Sequence, residues 1–380
     1  MPSPTHPKAR YIMIGGFLGA GKTTAVAKLA QRLSQRGLKI GLITNDQGRE
    51  LVDTKMLRSK GFATEEIPGG CFCCRFNSLV DAADKLTAST QPDVFVAEPV
   101  GSCTDLVATV TYPLRRIYGD SFLIAPVSVL LDPVRAARVL GLESGGNFSE
   151  KVVYIYRKQL EEADIIVINK TDLLAPSRVE ELRAALAREF PRAEIVAVST
   201  RDETNLDAWF SRLESGEQSN VGTMEVDYDV YADGEALLGW LNATVRLAAT
   251  APFDADKVIT LLARSIQEHL KAQHAEVAHL KMTYSPDEAL AGEIAAVNLV
   301  RNDFVPELSL KLQDPSSGGQ LIINLRAENA PEALAAIVRE SLGRLERDVP
   351  GLTAGLEHLE HFRPGRPTPT HRDVAQHPAV

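Results

Sequence analysis

Three of the four cysteines in this 380-residue chain stand in one four-residue word, Cys71-Phe72-Cys73-Cys74, directly after Gly69 and Gly70. Thiolates are soft ligands, and three of them at about 2.3 Å suit Zn²⁺ or Cu(I). In extended backbone Cys71 and Cys73 point one way and Cys74 the other, so convergence needs a bend that the two glycines can supply. A closed structural zinc site normally takes four ligands. Three local thiolates leave a position for water, for a ligand from another protein, or for Cys103, which is either that fourth ligand or a packed thiol. Two readings stand beside metal binding. One is inert buried thiols; the other is a redox couple, although C-x-C-C lacks the usual C-x-x-C spacing.

A second word, Gly16-Phe17-Leu18-Gly19-Ala20-Gly21-Lys22-Thr23, followed by Thr24, fits G-x-x-x-x-G-K-[ST] between an apolar run and a helical pattern. Such glycines let backbone N–H groups wrap phosphates, and a helix N-terminus favours the anion. Gly16, Gly19, Ala20, Gly21, Lys22, Thr23 and Thr24 are therefore the expected phosphate contacts. Lys22 would reach the β- and γ-phosphates as a catalytic cation, and Thr23 would offer its hydroxyl to Mg²⁺.

Asn169-Lys170-Thr171-Asp172 follows the apolar run Ile165 to Ile168. A carboxylate at Asp172 can accept both N1–H and N2–H₂ of guanine, donors that adenine lacks in that arrangement, so the spacing favours GTP over ATP. Ser199 offers a second contact to the base. Glu98 ends the apolar run Asp93 to Ala97, where a carboxylate beside the phosphate loop meets Mg²⁺, and Gly101 can give its N–H to the γ-phosphate. Between the phosphate loop and the cysteines, Thr44-Asn45-Asp46-Gln47-Gly48 and Asp53 form a polar stretch suited to sensing the nucleotide. Asp46 is its best candidate for a metal contact, and Asp46 and Gln47 are candidates to orient an attacking water.

These residues need elements to hold them. Short strands at Tyr11–Ile14, Leu38–Thr44, Phe62–Ile67, Asp93–Ala97, Phe122–Leu131, Asp164–Ile168 and Ala193–Val198 alternate with helical segments, beginning with Lys22–Gln35. That alternation predicts an α/β domain at 10–214, a mostly parallel sheet covered by helices on both faces. A polar linker at 213–222 leads to a smaller α+β domain at 223–362. Its expected elements are a strand at Met224–Tyr231, helices near 234–249 and 254–272, and strands at Val277–Tyr284, Glu293–Leu299, Leu308–Leu312 and Leu321–Leu325. A helix at 331–346 follows, His358 and His361 are placed on a last helical turn, and 363–380 is a Pro-rich mobile tail. A second metal-loading site among His269, His274, His358, His361 and His371 is a weaker reading than surface histidines.

Bulk composition narrows the partners. With 41 basic against 50 acidic residues the net charge is −9, which argues against a dedicated nucleic-acid binder. The longest apolar stretch, Phe122 to Leu131, is too short to span a bilayer and contains Pro126. No secretory signal is legible, so a cytoplasmic location is expected, where clustered thiols read as metal ligands or redox centres.

Four words, Gly15 to Thr24, Gly70 to Cys74, Glu98-Pro99-Val100-Gly101 and Asn169 to Asp172, together resemble the CobW-type GTPases, relatives of the hydrogenase and urease nickel-insertion GTPases. The resemblance covers about residues 10–214. It implies GTP hydrolysis coupled to handling a transition metal, Zn²⁺ or Co²⁺, with Cys71, Cys73 and Cys74 as the metal-binding element and a client metalloprotein as partner. Three departures stand out. Asn45-Asp46-Gln47-Gly48 replaces the family's usual Asn-Glu-Phe-Gly, a His-rich stretch is absent, and the region after 222 does not read as the usual second domain. The cassette Glu98 to Asp105 looks like a subgroup associated with corrinoid-dependent methyl transfer, which points to a corrinoid-related client. A homodimer around the nucleotide is an open expectation. The alternative is a regulatory or remodelling GTPase that docks a client enzyme and whose cysteines hold structural zinc.

Overall fold

The computed structural model describes residues 8–46, 57–58, 61–119, 121–218, 223–287 and 293–373, without the Asp46 side chain. Its first half is built on continuous apolar runs. β1 (Ala9–Gly16), β2 (Ile40–Asp46), β3 (Ala63–Pro68), β4 (Val94–Glu98), β5 (Phe122–Ile124), β6 (Ser128–Leu131), β7 (Ile165–Ile168) and β8 (Glu194–Ala197) form one sheet in the order β3-β2-β4-β1-β6-β7-β8, with β5 also on β1. Every recorded pairing is parallel. β4, β6 and β7 are buried along their whole length, as strands covered by helices on both faces must be. The covering helices are α1 (Lys22–Gln35), α2 (Phe76–Thr90), α3 (Tyr112–Tyr118), α4 (Pro133–Val139), α5 (Glu150–Glu161), α6 (Pro176–Glu189) and α7 (Leu206–Ser215).

The second half is α8 (Tyr228–Leu237), β9 (Leu238–Phe253), α9 (Ala255–Ala272), β10 (Val277–Pro286), β11 (Ala295–Leu299), β12 (Glu307–Leu310), β13 (Ser316–Glu328), α10 (Pro331–Asp348) and β14 (Leu352–Phe362). Its six strands form an antiparallel sheet, β12-β11-β10-β13-β9-β14, with α9 and α10 packed on one face. The α/β domain and the smaller sheet domain expected from the sequence are both present.

Four local readings are corrected. The single strand Phe122–Leu131 is two strands separated at Ala125-Pro126-Val127, since Pro126 has no N–H for the ladder. Met224–Tyr231 is not a strand; Asp227 accepts from Asp229 N and Val230 N at 2.9 and 3.1 Å and starts helix α8 instead. The helix expected near 234–249 gives way after Leu237 to the 16-residue strand β9, in which Leu241, Ala243, Val245 and Leu247 recur every second residue on the core side. His358 and His361 stand on strand β14 rather than a helical turn, so a spacing of three puts them on opposite faces.

The two sheets meet above the phosphate loop around one carboxylate. Asp132 follows β6 and is 2% exposed. It accepts from Lys170 Nζ at 2.9 Å, from Arg301 Nη1 at 2.7 Å and from Arg135 N at 3.0 Å. Arg135 in turn donates to Val277 O at 3.1 Å and to Val300 O, carbonyls of the second domain. Burial works to raise the Asp132 carboxyl, but Lys170 and Arg301 outweigh it and hold it well below the usual carboxylate range. The stability this pairing contributes is present above the unfolded carboxyl value of about 3.9 and is lost as pH falls through the depressed folded value. Asp132→Ala strands two cations against the phosphate loop and should cost about 3–5 kcal/mol in urea unfolding. The same truncation at exposed Arg246, paired with Asp287 on the surface, should hardly move the midpoint.

Candidate nucleotide and metal site

β1 ends at Gly16, whose φ of 126° is left-handed and whose absent side chain leaves room for the Leu130 backbone. The loop then turns into α1, and the sequence-predicted residues gather along the sheet's C-terminal edge. Thr23 Oγ1 donates to Glu98 Oε1 at 2.9 Å, and Lys22 Nζ reaches Phe17 O at 3.3 Å, both buried. A Cβ on Gly101 would lie 2.9 Å from Leu18 N, so only glycine lets the loop after β4 lie this close to the phosphate loop. Thr24 is exposed on the first turn of α1. Gly19, Ala20 and Gly21 are braced from below. Lys170 Nζ donates to Gly19 O at 2.6 Å, and Asn169 Nδ2 to Ala20 O at 2.9 Å.

The residues expected to read the base form one cluster. Asn169 Oδ1 accepts from Thr200 N at 3.1 Å, which pins the loop after β8 to the tetrad after β7. Ser199 Oγ donates to Asp172 Oδ1 at 2.7 Å and accepts from Asp202 N at 3.0 Å. Arg201 faces the other Asp172 oxygen at 3.4 Å. The carboxylate is thereby held in a fixed rotamer with its acceptor edge defined. Gln47, Gly48 and Asp53 lie outside the described residues; for Asp46 only the backbone is described, paired with Pro68 at the end of β2.

β3 delivers the chain to Gly69 and Gly70, which bend it with φ of 74° and 151°. The bend converges the three thiols: Cys71 to Cys73 at 2.7 Å, Cys71 to Cys74 at 3.2 Å and Cys73 to Cys74 at 3.6 Å. Among the described residues these three are the one group of at least three Cys, His, Asp or Glu ligands close enough to share an ion. A tetrahedral ion with sulfur at about 2.3 Å sets sulfurs about 3.8 Å apart, so the donor set fits zinc once its tightest edge opens by about 1 Å. Cys103 is buried in the same core as Cys71. Hydrogen bonding with Cys103, Cys73 and Cys74, in that order of weight, holds Cys71 well below the ordinary thiol range. Burial pushes Cys103 up, and hydrogen bonding to Cys71 raises Cys73 and takes Cys74 to about 11.

Residues 10–197 match the sequence model of the CobW/HypB/UreG nucleotide-binding domain. This part of the chain belongs to that family. Three curated relatives agree. The zinc chaperone YjiA of Escherichia coli is 31% identical over 196 residues, 50% of this chain and 57% of that protein. The zinc chaperone YeiR of the same organism is 30% identical over 174 residues, 45% and 49% of the two chains. The zinc chaperone CobW of Sinorhizobium sp is 31% identical over 192 residues, 45% and 53%. The chain spans about half the length of the curated relatives it matches. Among the described residues no helix is long and apolar enough to cross a membrane.

Several residues around the site escaped the sequence reading. Asn45 Nδ2 donates to Ile67 O at 2.9 Å and Gly70 O at 2.6 Å, tying the end of β2 to the cysteine bend. Gln159 Nε2 clamps Gly101 O at 2.9 Å and Cys103 O at 2.8 Å. Glu235 of α8, buried and bonded by Ser102 Oγ at 2.6 Å, faces the Cys71 side of the site. Only Asp132 had a signal: a polar residue directly after a buried strand, the same signal that identified Glu98. Among the described residues the histidines join no metal-ligand cluster: His269 Nδ1 meets Ser265 O at 2.7 Å, and His371 packs edge-on against Phe76. In metal-free protein, thiolate absorbance in the ultraviolet should appear first from Cys71, at a pH below that of an ordinary thiol, and Cys71→Ser should remove that first step. A first step that survives the substitution would show the four thiols to be arranged otherwise.

Proposed function

We propose that this chain binds and hydrolyses GTP and uses the change between its nucleotide states to hold and then release zinc for a client protein. The observation that carries the reading is the loop 98–105. Glu98 at one end bonds Thr23 of the phosphate loop, and five residues later Cys103 is buried in the same core as Cys71. In this reading Gly16 to Thr23 hold the phosphates, Asp172 and Ser199 read guanine, and Thr23 and Glu98 hold Mg²⁺, which would neutralise charge developing on the phosphates. Lys22 supplies a fixed positive charge at the bond that breaks. Zinc is cargo on Cys71, Cys73 and Cys74. The curated relatives named as zinc chaperones favour zinc over cobalt.

The burial of Cys103 in the same core as Cys71 favours a second reading, in which Cys103 moves in as a fourth sulfur, closes the site and makes the ion structural. Metal analysis separates the two. A cargo site gives Cys73→Ser protein that is folded and zinc-poor; a structural one gives protein that does not fold.

The guanine assignment has its own test. Asp172→Asn replaces an acceptor with an amide and loses charged hydrogen bonds of about 1.5–3 kcal/mol each, so GTP affinity should fall at least tenfold. Xanthosine triphosphate, whose O2 accepts where the guanine amine donates, should bind the variant better than GTP. Unchanged GTP affinity would overturn the base-site assignment.

A further inference from the structure

The sequence reading places residues after 362 in a tail, yet residues 363–373 lie along the cysteine loop. Thr370 N donates to Cys73 O at 2.8 Å, and its Oγ1 donates to Cys74 O at 3.2 Å. Thr368 N donates to the Cys74 sulfur at 3.2 Å. The word Arg366-Pro367-Thr368-Pro369-Thr370 explains this seating. Prolines hold the chain extended, and in extended chain every second N–H points to the same side. The two threonines keep their N–H groups on the side that faces the cysteines, while the prolines occupy alternate positions and leave no donor unsatisfied.

The far end is anchored. Arg372 donates through Nε to Asp105 Oδ2 at 2.7 Å and through Nη2 to Met224 O at 3.0 Å. Asp105 is 1% exposed and accepts also from Tyr228 OH at 2.6 Å. Without Arg372 it would be a buried carboxylate without its cation, a costly state that holds the segment down. Asp373 N donates to Ala108 O at 2.8 Å, and Arg116 Nε donates to Asp373 Oδ2 at 2.7 Å. At the near end, Gly365, Arg366 and Pro367 line a cavity of about 350 Å³ together with Cys71 and Cys74.

We propose that residues 365–373 are a latch over the cysteine site, and that their release sets how fast a metal ion leaves it. The latch rests on the zinc reading for its purpose, but not for its existence. An acceptor approaching the sulfurs from this side meets the segment first, and lifting it frees the Cys73 and Cys74 carbonyls as well as the Cys74 sulfur.

Two full-length variants test this. Thr370→Pro deletes the N–H given to Cys73 O and leaves the Arg372 anchor in place; Arg372→Gln removes the anchor's charge. In metal-free protein, alkylation of Cys74 by iodoacetamide, mapped by mass spectrometry, should quicken at least tenfold in each variant that keeps the wild-type circular dichroism. In zinc-loaded protein, zinc loss to a chelator should quicken by a similar factor at unchanged stoichiometry. Unchanged alkylation in a folded variant overturns the latch, and faster alkylation with unchanged zinc loss overturns its role as a gate. Wild-type protein that takes up no zinc removes the metal reading instead, and alkylation alone then decides whether the segment covers Cys74.

Discussion

Glu98 and Cys103 are five residues apart on one buried loop, and that short span ties the two halves of the site together. Glu98 accepts the Thr23 hydroxyl, Gly101 rests against Leu18, and Cys103 is buried in the same core as Cys71. Gln159 clamps the loop at two carbonyls, which leaves little slack between its ends. A side chain at Gly101 would collide with the phosphate loop, so the spacing is fixed by backbone contact rather than by side chains that could repack. Any displacement of Glu98 that follows a change at the phosphates has a direct mechanical route to the sulfur cluster. Asn45 gives a second, shorter route from the end of β2 to the bend at Gly70.

The second domain is more than an appendage. Arg301 shares Asp132 with Lys170, the residue that braces Gly19, so the base of the nucleotide loop and the second domain are joined through one carboxylate. Glu235 and Ser102 join the same domain to the cysteine side, and the segment after β14 returns to cover it. The Ser102–Asp105 end of the loop therefore faces groups from the second half of the chain, although the chemistry-bearing words all lie in the first.

The first half was legible because its signals are local. A phosphate loop, a strand-end carboxylate and a guanine tetrad each declare themselves within eight residues, and continuous apolar runs identify strands covered on both faces. The second half was less legible for a physical reason. In Leu237-Leu238-Gly239-Trp240-Leu241, apolar residues suit a helix and a strand equally, and the pairing of β9 with β13 over its length decides for strand. The gathering of Cys103 and Cys71 in one core and the sharing of Asp132 are long-range, as is the seating of Thr370 on Cys73. No spacing rule reaches across such separations. The alternation of proline and threonine at 367–370 was visible, and reads as a tail until a partner for its N–H groups is known.

If nucleotide state and sulfur cluster are one system, reciprocal linkage makes their coupling measurable. The direct test is the zinc affinity of the full-length protein, by competition with a chelator of known affinity, in the presence of GDP and of a non-hydrolysable GTP analogue. The account predicts affinities that differ about fivefold or more, with zinc shifting the analogue's affinity by the same factor. Equal zinc affinities in the two nucleotide states would contradict it.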